Sequence, residues 1–257
     1  MKKLRPISLN IGVARAMEKR LLAELRRVNK GISRFVLSAW RGETASDASP
    51  LPDILLLFGR ERTGWERRWE SFVQWFCEDA ILRVKKTTDR ALLNSFRDSG
   101  FAVKFDASKL LDEAVMAAIG ENVSLLKSVA ATEFDKVQDI IVDGLKQGRD
   151  VQYVKNALEE RFDMTERRAA LVARDQMDKA CQTVQRARDN QLGITEGIWV
   201  HLPGLKTSRA SHVAMNGERF PLNQGIYDPD VGEYVLPGQL IACRCTYTRV
   251  IPEFGDV

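Results

Sequence analysis

The sequence predicts an α+β fold: a mainly α-helical N-terminal body followed by a small β-containing C-terminal module. Three observations carry this reading. From Met17 to Leu192 apolar residues recur at steps of three and four, the period of amphipathic helices. After Gly193 that period gives way to short runs of strand-type residues. Gly217, Pro221, Gly225, Pro229, Gly232 and the Pro237-Gly238 pair then cut the chain into short strands and turns. The expected division is 1–148, a helical body that opens on a basic helix, and 149–257. The latter comprises a long helix over 165–192 and a small α+β module over 194–254.

Taken in order, Met17, Leu21, Leu25, Val28, Ile32, Phe35 and Ala39 mark one face of a first helix. Gly42 to Gly59 reads as a loop with an apolar patch at Ile54 to Phe58. Thr63-x-x-Glu66 reads as a capping box. Trp65, Trp69, Phe72 and Phe76 then form an aromatic stripe that runs on through Leu82, Leu92 and Phe96, with a break admitted near Lys86-Thr87-Thr88. Such a stripe at helical spacing belongs to a core. Ser99-Gly100 ends this stretch, Asp106 caps a short helix stopped by Gly120, and a further helix closes near Gly148. Asp150 caps the next, with Val154, Leu158 and Phe162 inward. Asp163 or Thr165 starts the long one, with Ala170, Ala173, Met177, Cys181 and Val184 as its stripe and Gly193 as its stop. The best strand is Ile241 to Ile251, ended by Pro252, with Cys243, Cys245 and Tyr247 on one face.

The chain has 257 residues and a net charge of +4, yet residues 1–41 alone carry eleven Lys/Arg against two Glu. Such asymmetry speaks to partners rather than fold. Lys19, Arg20, Arg26, Arg27, Lys30 and Arg34 fall on the polar surface of the first helix, where they suit either plain solvation or contact with DNA phosphates or an acidic ring on a partner. The richest apolar run, Ile54 to Phe58, is far too short to span a bilayer, so no membrane is expected. The basic N-terminus is not followed by a signal-peptide core, so secretion by that route is not expected. Four cysteines, two of them isolated in helical sequence, are not a disulfide framework, and a reducing compartment is the default.

The C-terminal stretch holds both histidines, His201 and His212, and the pair Cys243 and Cys245. Together these are four N/S groups, the number zinc takes. Their spacing is poor for it, because ten residues separate the two histidines where a zinc knuckle has a tight pair. No metal and no cofactor is therefore the favoured reading, with His201, His212, Cys243 and Cys245 kept as the ligands of a zinc alternative. Ser211-His212 lacks a nucleophile elbow, and Asp228, Asp230 and Glu233 sit in a Gly/Pro loop and read as turn formers, so no catalytic residue is assigned. A structural reading remains. Gly217 permits a tight turn, Trp199 and Phe220 anchor a small sheet, and Arg209 or Arg244 hydrogen-bonds across it to His212.

The order Ile198-Trp199, Arg209-x-x-His212, Met215-Asn216-Gly217, Phe220-Pro221-Leu222, Pro237 and Cys243-Arg244-Cys245-Thr246 resembles the C-terminal domain of the phage Mu F-like minor head proteins. The preceding helix, with Ala173-Arg174-Asp175-Gln176, is similar to that family's as well. The resemblance covers roughly the last hundred residues and departs from some relatives at Arg209 and Leu240, where they carry further Cys or His. It implies a minor capsid protein acting in head morphogenesis near the portal. Its partners would be the portal protein and the major capsid protein, with packaged DNA as a further contact. It would be present in more than one copy per head, in the virion and, during assembly, in the host cytoplasm. Two alternatives stay open: a free DNA-binding or DNA-processing protein, and a zinc-stabilised module.

Overall fold

A computed structural model describes residues 4–43, 51–103, 109–148, 151–203 and 208–251. The fold is α+β, with a helical N-terminal body and a small antiparallel β module at the C-terminal end. Four long helices come first: α1 (Ile11–Glu43), α2 (Leu51–Asp98), α3 (Lys109–Lys146) and α4 (Val151–Gln191). The module adds β1 (Glu196–Val200), a short helix α5 (Ala210–Ala214), β2 (Arg219–Pro221), β3 (Ile226–Asp228), β4 (Glu233–Val235) and β5 (Thr246–Val250). Two compact units emerge, each discontinuous in sequence. One draws on Met1–Arg15, Asp79–Gly120 and Arg174–Val257, the other on Ala16–Glu78 and Glu121–Ala173.

The helices are longer and fewer than the sequence pattern suggests, and each difference has a local cause. α1 begins before its apolar stripe because the Asn10 side chain accepts the Val13 N–H at 3.0 Å, a side-chain cap. Met17, Leu21, Leu25, Val28 and Ile32 are buried as expected, but at the far end Val36 and Trp40 replace Phe35 and Ala39 as the buried pair. The apolar patch Ile54 to Phe58 is helix rather than loop, with Ile54 and Phe58 both buried. Thr63 caps nothing, since its hydroxyl donates to the Gly59 carbonyl one turn back at 3.2 Å and α2 runs straight through. The hydroxyl of Thr87 is satisfied in the same way on Arg83 O at 2.9 Å, so there is no break at Lys86-Thr87-Thr88. Leu82 leaves the stripe and lies 57 % exposed.

α3 likewise passes Gly120 without stopping. Apolar positions on either side, Ile119 and Leu126, are buried and keep its register, so tertiary packing outweighs the weak propensity of one glycine. α4 is a single helix where two were expected. Thr165 does not start it. Its side chain is buried mid-helix and donates to Glu133, which also takes Arg161 Nε at 2.8 Å. Asp106, Asp150 and Pro252 lie outside the described residues. The predicted stops at Gly100, Gly148 and Gly193 coincide with left-handed glycines (φ 86°, 59° and 69°).

The unit built on Ala16–Glu78 and Glu121–Ala173 is held mainly by apolar contact. Phe35, Phe58, Trp65 and Phe134 form a chain of rings with centroids 5.8–6.5 Å apart. Trp69 is buried and donates its indole N–H to Leu126 O at 3.0 Å. Trp40 presses so close to α3 that a Cβ on Gly144 would stand 2.6 Å from its ring.

The other unit contains the β module. β1 is the middle strand of a three-stranded antiparallel sheet of order β2-β1-β5, while β3 and β4 form a separate hairpin. Register sets Trp199 opposite Tyr247 and Gly197 opposite Phe220. The core beneath gathers Leu4, Ile7, Leu92, Phe96, Trp199, Phe220 and Tyr247. The N-terminal residues thus strap the C-terminal module, and the Ile7 carbonyl accepts both Thr246 Oγ1 (2.6 Å) and Gln185 Nε2 (3.2 Å). Beside them lies a buried ion pair. Asp189 takes Arg249 Nε and the Tyr247 hydroxyl, both at 2.5 Å, and Gln185 takes a second Arg249 nitrogen at 3.0 Å.

Candidate functional site

β1 delivers the first residue of the site. As the strand ends, the His201 N–H donates to the Asn216 side chain at 2.8 Å, and the Gly217 N–H donates to Trp199 O at 2.8 Å. Gly217 holds φ 89°, which a Cβ would oppose, so the turn after α5 folds back onto the strand. That turn brings His212, on α5, against the Trp199 ring in an edge-on contact at 5.2 Å. Trp199 in turn meets Phe220 at 5.8 Å, and both are buried.

The third segment is the loop before β5. Cys243, Arg244 and Cys245 precede the strand rather than lying in it, because β5 starts only at Thr246. Ala242, at φ 58°, turns the chain there and is the only non-glycine with positive φ among the described residues. Two side chains pin this turn: Asp175 of α4 accepts the Ala242 N–H at 2.6 Å, and Arg209 donates to Ile241 O at 2.9 Å. Arg209 therefore does not reach His212 as the sequence suggests. The polar groups beside His212 are two sulfurs and a carboxylate.

The result is a buried cluster. His212 Nδ1 lies 3.3 Å from Cys243 Sγ and 3.7 Å from Cys245 Sγ, and these three ligand atoms all stand within 4.8 Å of one another. His201 joins from the rim, its Nδ1 3.5 Å from Cys245 Sγ. Each imidazole turns its other nitrogen to an oxygen. His212 Nε2 faces Asp228 Oδ2 at 3.2 Å, outside good hydrogen-bond geometry, and His201 Nε2 faces Ser208 Oγ at 3.2 Å. Asp228 is fully buried at the end of β3 and uses its other oxygen on the Asp230 N–H at 3.0 Å. It is thus both turn former, as expected, and histidine partner, which was not expected.

Electrostatics divide the two thiols. Cys243 is drawn down to about 5, chiefly by the hydrogen bond it accepts from Cys245, aided by the Cys245 and Gly238 backbone N–H groups and opposed by burial. Cys245 moves up, first because it is that donor and then by burial. The Trp199 indole N–H, which lacks a fully formed hydrogen bond, works the other way and favours charge on Cys245. Close by, burial raises Asp178 to about 6, with Arg244 pulling it back. Ser211 Oγ is buried without a partner, so no Ser–His pair exists here. The cavity at the cluster measures about 30 Å³, room for an ion or one water and far below an organic substrate.

The structure thus brings His201, His212, Cys243 and Cys245 together with Trp199, and puts Gly217 and Phe220 in the frame that holds them. Lys19, Arg20, Arg26, Arg27, Lys30 and Arg34 lie on α1, outside this cluster, and all six are exposed. Arg26 pairs with Glu166 at 2.8 Å, Arg27 with Glu24 at 2.9 Å, and Arg20 sits over the Trp75 ring. Among the described residues no helix is long and apolar enough to cross a membrane. Asp228, Asp175 and the Asp189–Arg249–Tyr247 set were missed by sequence reasoning. The motif order and the paired histidines and cysteines carried the signal for the rest.

Comparison with known proteins adds the following. A family model described as Phage Mu protein F like protein matches residues 135–248. A protein of Haemophilus influenzae (strain ATCC 51907 / DSM 11121 / KW20 / Rd), itself described as uncharacterized, is 28% identical over 141 residues, which cover 55% of this chain. The match spans 30% of that relative's length. No solved structure matches the chain.

Proposed function

We infer the function from one premise: residues 135–248 match the model of the Phage Mu protein F like family. That family points to phage head morphogenesis. The chain is a minor capsid protein of the phage head, with a structural rather than a catalytic role. It acts during assembly near the portal, in more than one copy per head, against the portal protein and the major capsid protein. It is met in the host cytoplasm during assembly and in the virion afterwards. The family match carries this reading. The site adds support, since a cavity of only about 30 Å³ suits a shape-holding element.

The second contact is electrostatic. At ~100° per residue the six cations of α1 fall within about 120° of helix circumference, opposite the buried Met17, Leu21 and Leu25. This face meets packaged DNA or an acidic portal surface.

Cross-linking inside purified heads tests the assembly role. The expected neighbours are the portal and major capsid proteins, and absence of this chain from heads contradicts it. Lys19→Glu, Lys30→Glu and Arg34→Glu together test the basic face. Recovery with heads or DNA should fall in a salt-sensitive way, and unchanged recovery at every salt concentration rules that contact out. A chain that retards duplex DNA alone at moderate salt, and never enters heads, is instead a free DNA-binding protein.

A further inference from the structure

We propose that His212, Cys243, Cys245 and His201 form a structural zinc centre that ties the C-terminal module together. Three observations converge on it. The first is distance. In a tetrahedral site with Zn–S of about 2.3 Å and Zn–N of about 2.0–2.1 Å, nitrogen and sulfur ligands stand about 3.6 Å apart. The three N–S separations here are 3.3, 3.5 and 3.7 Å. His212, Cys243 and Cys245 form the tight part of the set, while His201 stands outside it, approaching through Cys245, and would close the fourth side by moving its ring inward.

The second is orientation. Both imidazoles turn Nδ1 inward and Nε2 toward an oxygen, Asp228 for His212 and Ser208 for His201. A metal-bound histidine characteristically hands its other N–H to a carboxylate or hydroxyl that fixes tautomer and ring angle. Asp228 Oδ2 and His212 Nε2 are both buried and have no other partner, so this pairing is the only one that answers them. The third is chemistry. Two thiolates and two imidazoles are a borderline-soft donor set, which selects zinc over calcium or magnesium.

With His201 moved in, four protein ligands would complete a tetrahedron with no position left for substrate, which marks a structural ion rather than a catalytic one. The module has reason to need it. Its strands are three to five residues long, and the cluster joins four separate pieces: the end of β1, α5, the β3 end through Asp228, and the loop before β5. The ten residues between the histidines, which count against zinc in the sequence, are bridged by α5 folding back onto β1.

This inference is independent of the role in heads. Elemental analysis of the full chain, purified without chelator from zinc-supplemented cells, should find about one zinc per chain. A mercurial that blocks thiols should release it, and chelator should lower the Tm by roughly 10 °C or more. Cys243→Ser and Cys245→Ser should lose the metal, while Cys77→Ala, which removes a buried thiol remote in sequence, should keep it. His201→Ala should bind zinc more weakly, and unchanged affinity removes His201 from the ligand set. Because the cysteine variants can misfold, the wild-type chain decides. A folded wild-type protein without stoichiometric zinc, or one whose Cys243 and Cys245 are joined as a disulfide, overturns the proposal.

Discussion

The two units of this protein reach a defined shape by different routes. In the unit of Ala16–Glu78 and Glu121–Ala173, order comes from many interchangeable apolar contacts. Trp69, Phe58 and Phe134 are buried among rings and aliphatic side chains over four helical segments. In the other unit an apolar core is joined by more numerous buried polar groups, and links among them set the geometry: Asp189 with Arg249 and Tyr247, Asp175 with Ala242, Asp228 with His212. Distributed packing degrades gradually under substitution. A unique polar link fails all at once, because its loss strands a buried partner.

The largest expected effect therefore lies in the second unit. Arg249→Ala leaves the buried Asp189 carboxylate without its ion-pair partner, with the Tyr247 hydroxyl still donating to it, and should cost about 3–5 kcal/mol in urea unfolding. A cost below about 1 kcal/mol would erase the distinction between the units. Asp178 gives a pH test. Its folded pKa of about 6 exceeds the ordinary 3.8, so the fold favours its protonated form. The stability this lends is fully present below pH about 3.8 and is lost as pH rises through about 6. Asp178→Asn should therefore match the wild type near pH 4 and exceed it by about 2–3 kcal/mol at pH 7. A difference that does not change with pH contradicts the assignment.

Gly144→Ala probes the apolar unit at its tightest point, where the new methyl would stand 2.6 Å from Trp40. Repacking should hold the cost to about 1–3 kcal/mol in thermal unfolding. The smallest effect belongs to the basic face. Lys19→Glu, Lys30→Glu and Arg34→Glu sit on exposed helix surface and should each shift stability by less than about 0.5 kcal/mol. A large loss would mean that these cations serve the fold rather than a partner.

The same contrast explains what the sequence made legible. Apolar period revealed the helices because each buried position in α1 and α2 repeats the signal, from Met17 to Ile32 and from Trp69 to Phe96. Breaks were over-read. Thr63, Thr87 and Gly120 are weak local signals that packing overrides. The module's polar links left no such trace, since Gln182, Gln185 and Asp189 line a buried face of α4 with residues that pattern as solvent-facing. The motif order located the site's residues, yet the spacing of His201 and His212 argued against their meeting. Only the turn at Gly217 and the bend at Ala242 bring them to the two sulfurs.

The zinc centre proposed for His212, Cys243, Cys245 and His201 would fix the C-terminal module through two sulfurs and two nitrogens. X-ray absorption at the zinc edge on the purified full-length chain tests it directly. The predicted first shell is two sulfurs at about 2.3 Å and two nitrogens at about 2.0–2.1 Å. A shell of oxygens, or a folded chain with no bound zinc to measure, would contradict it.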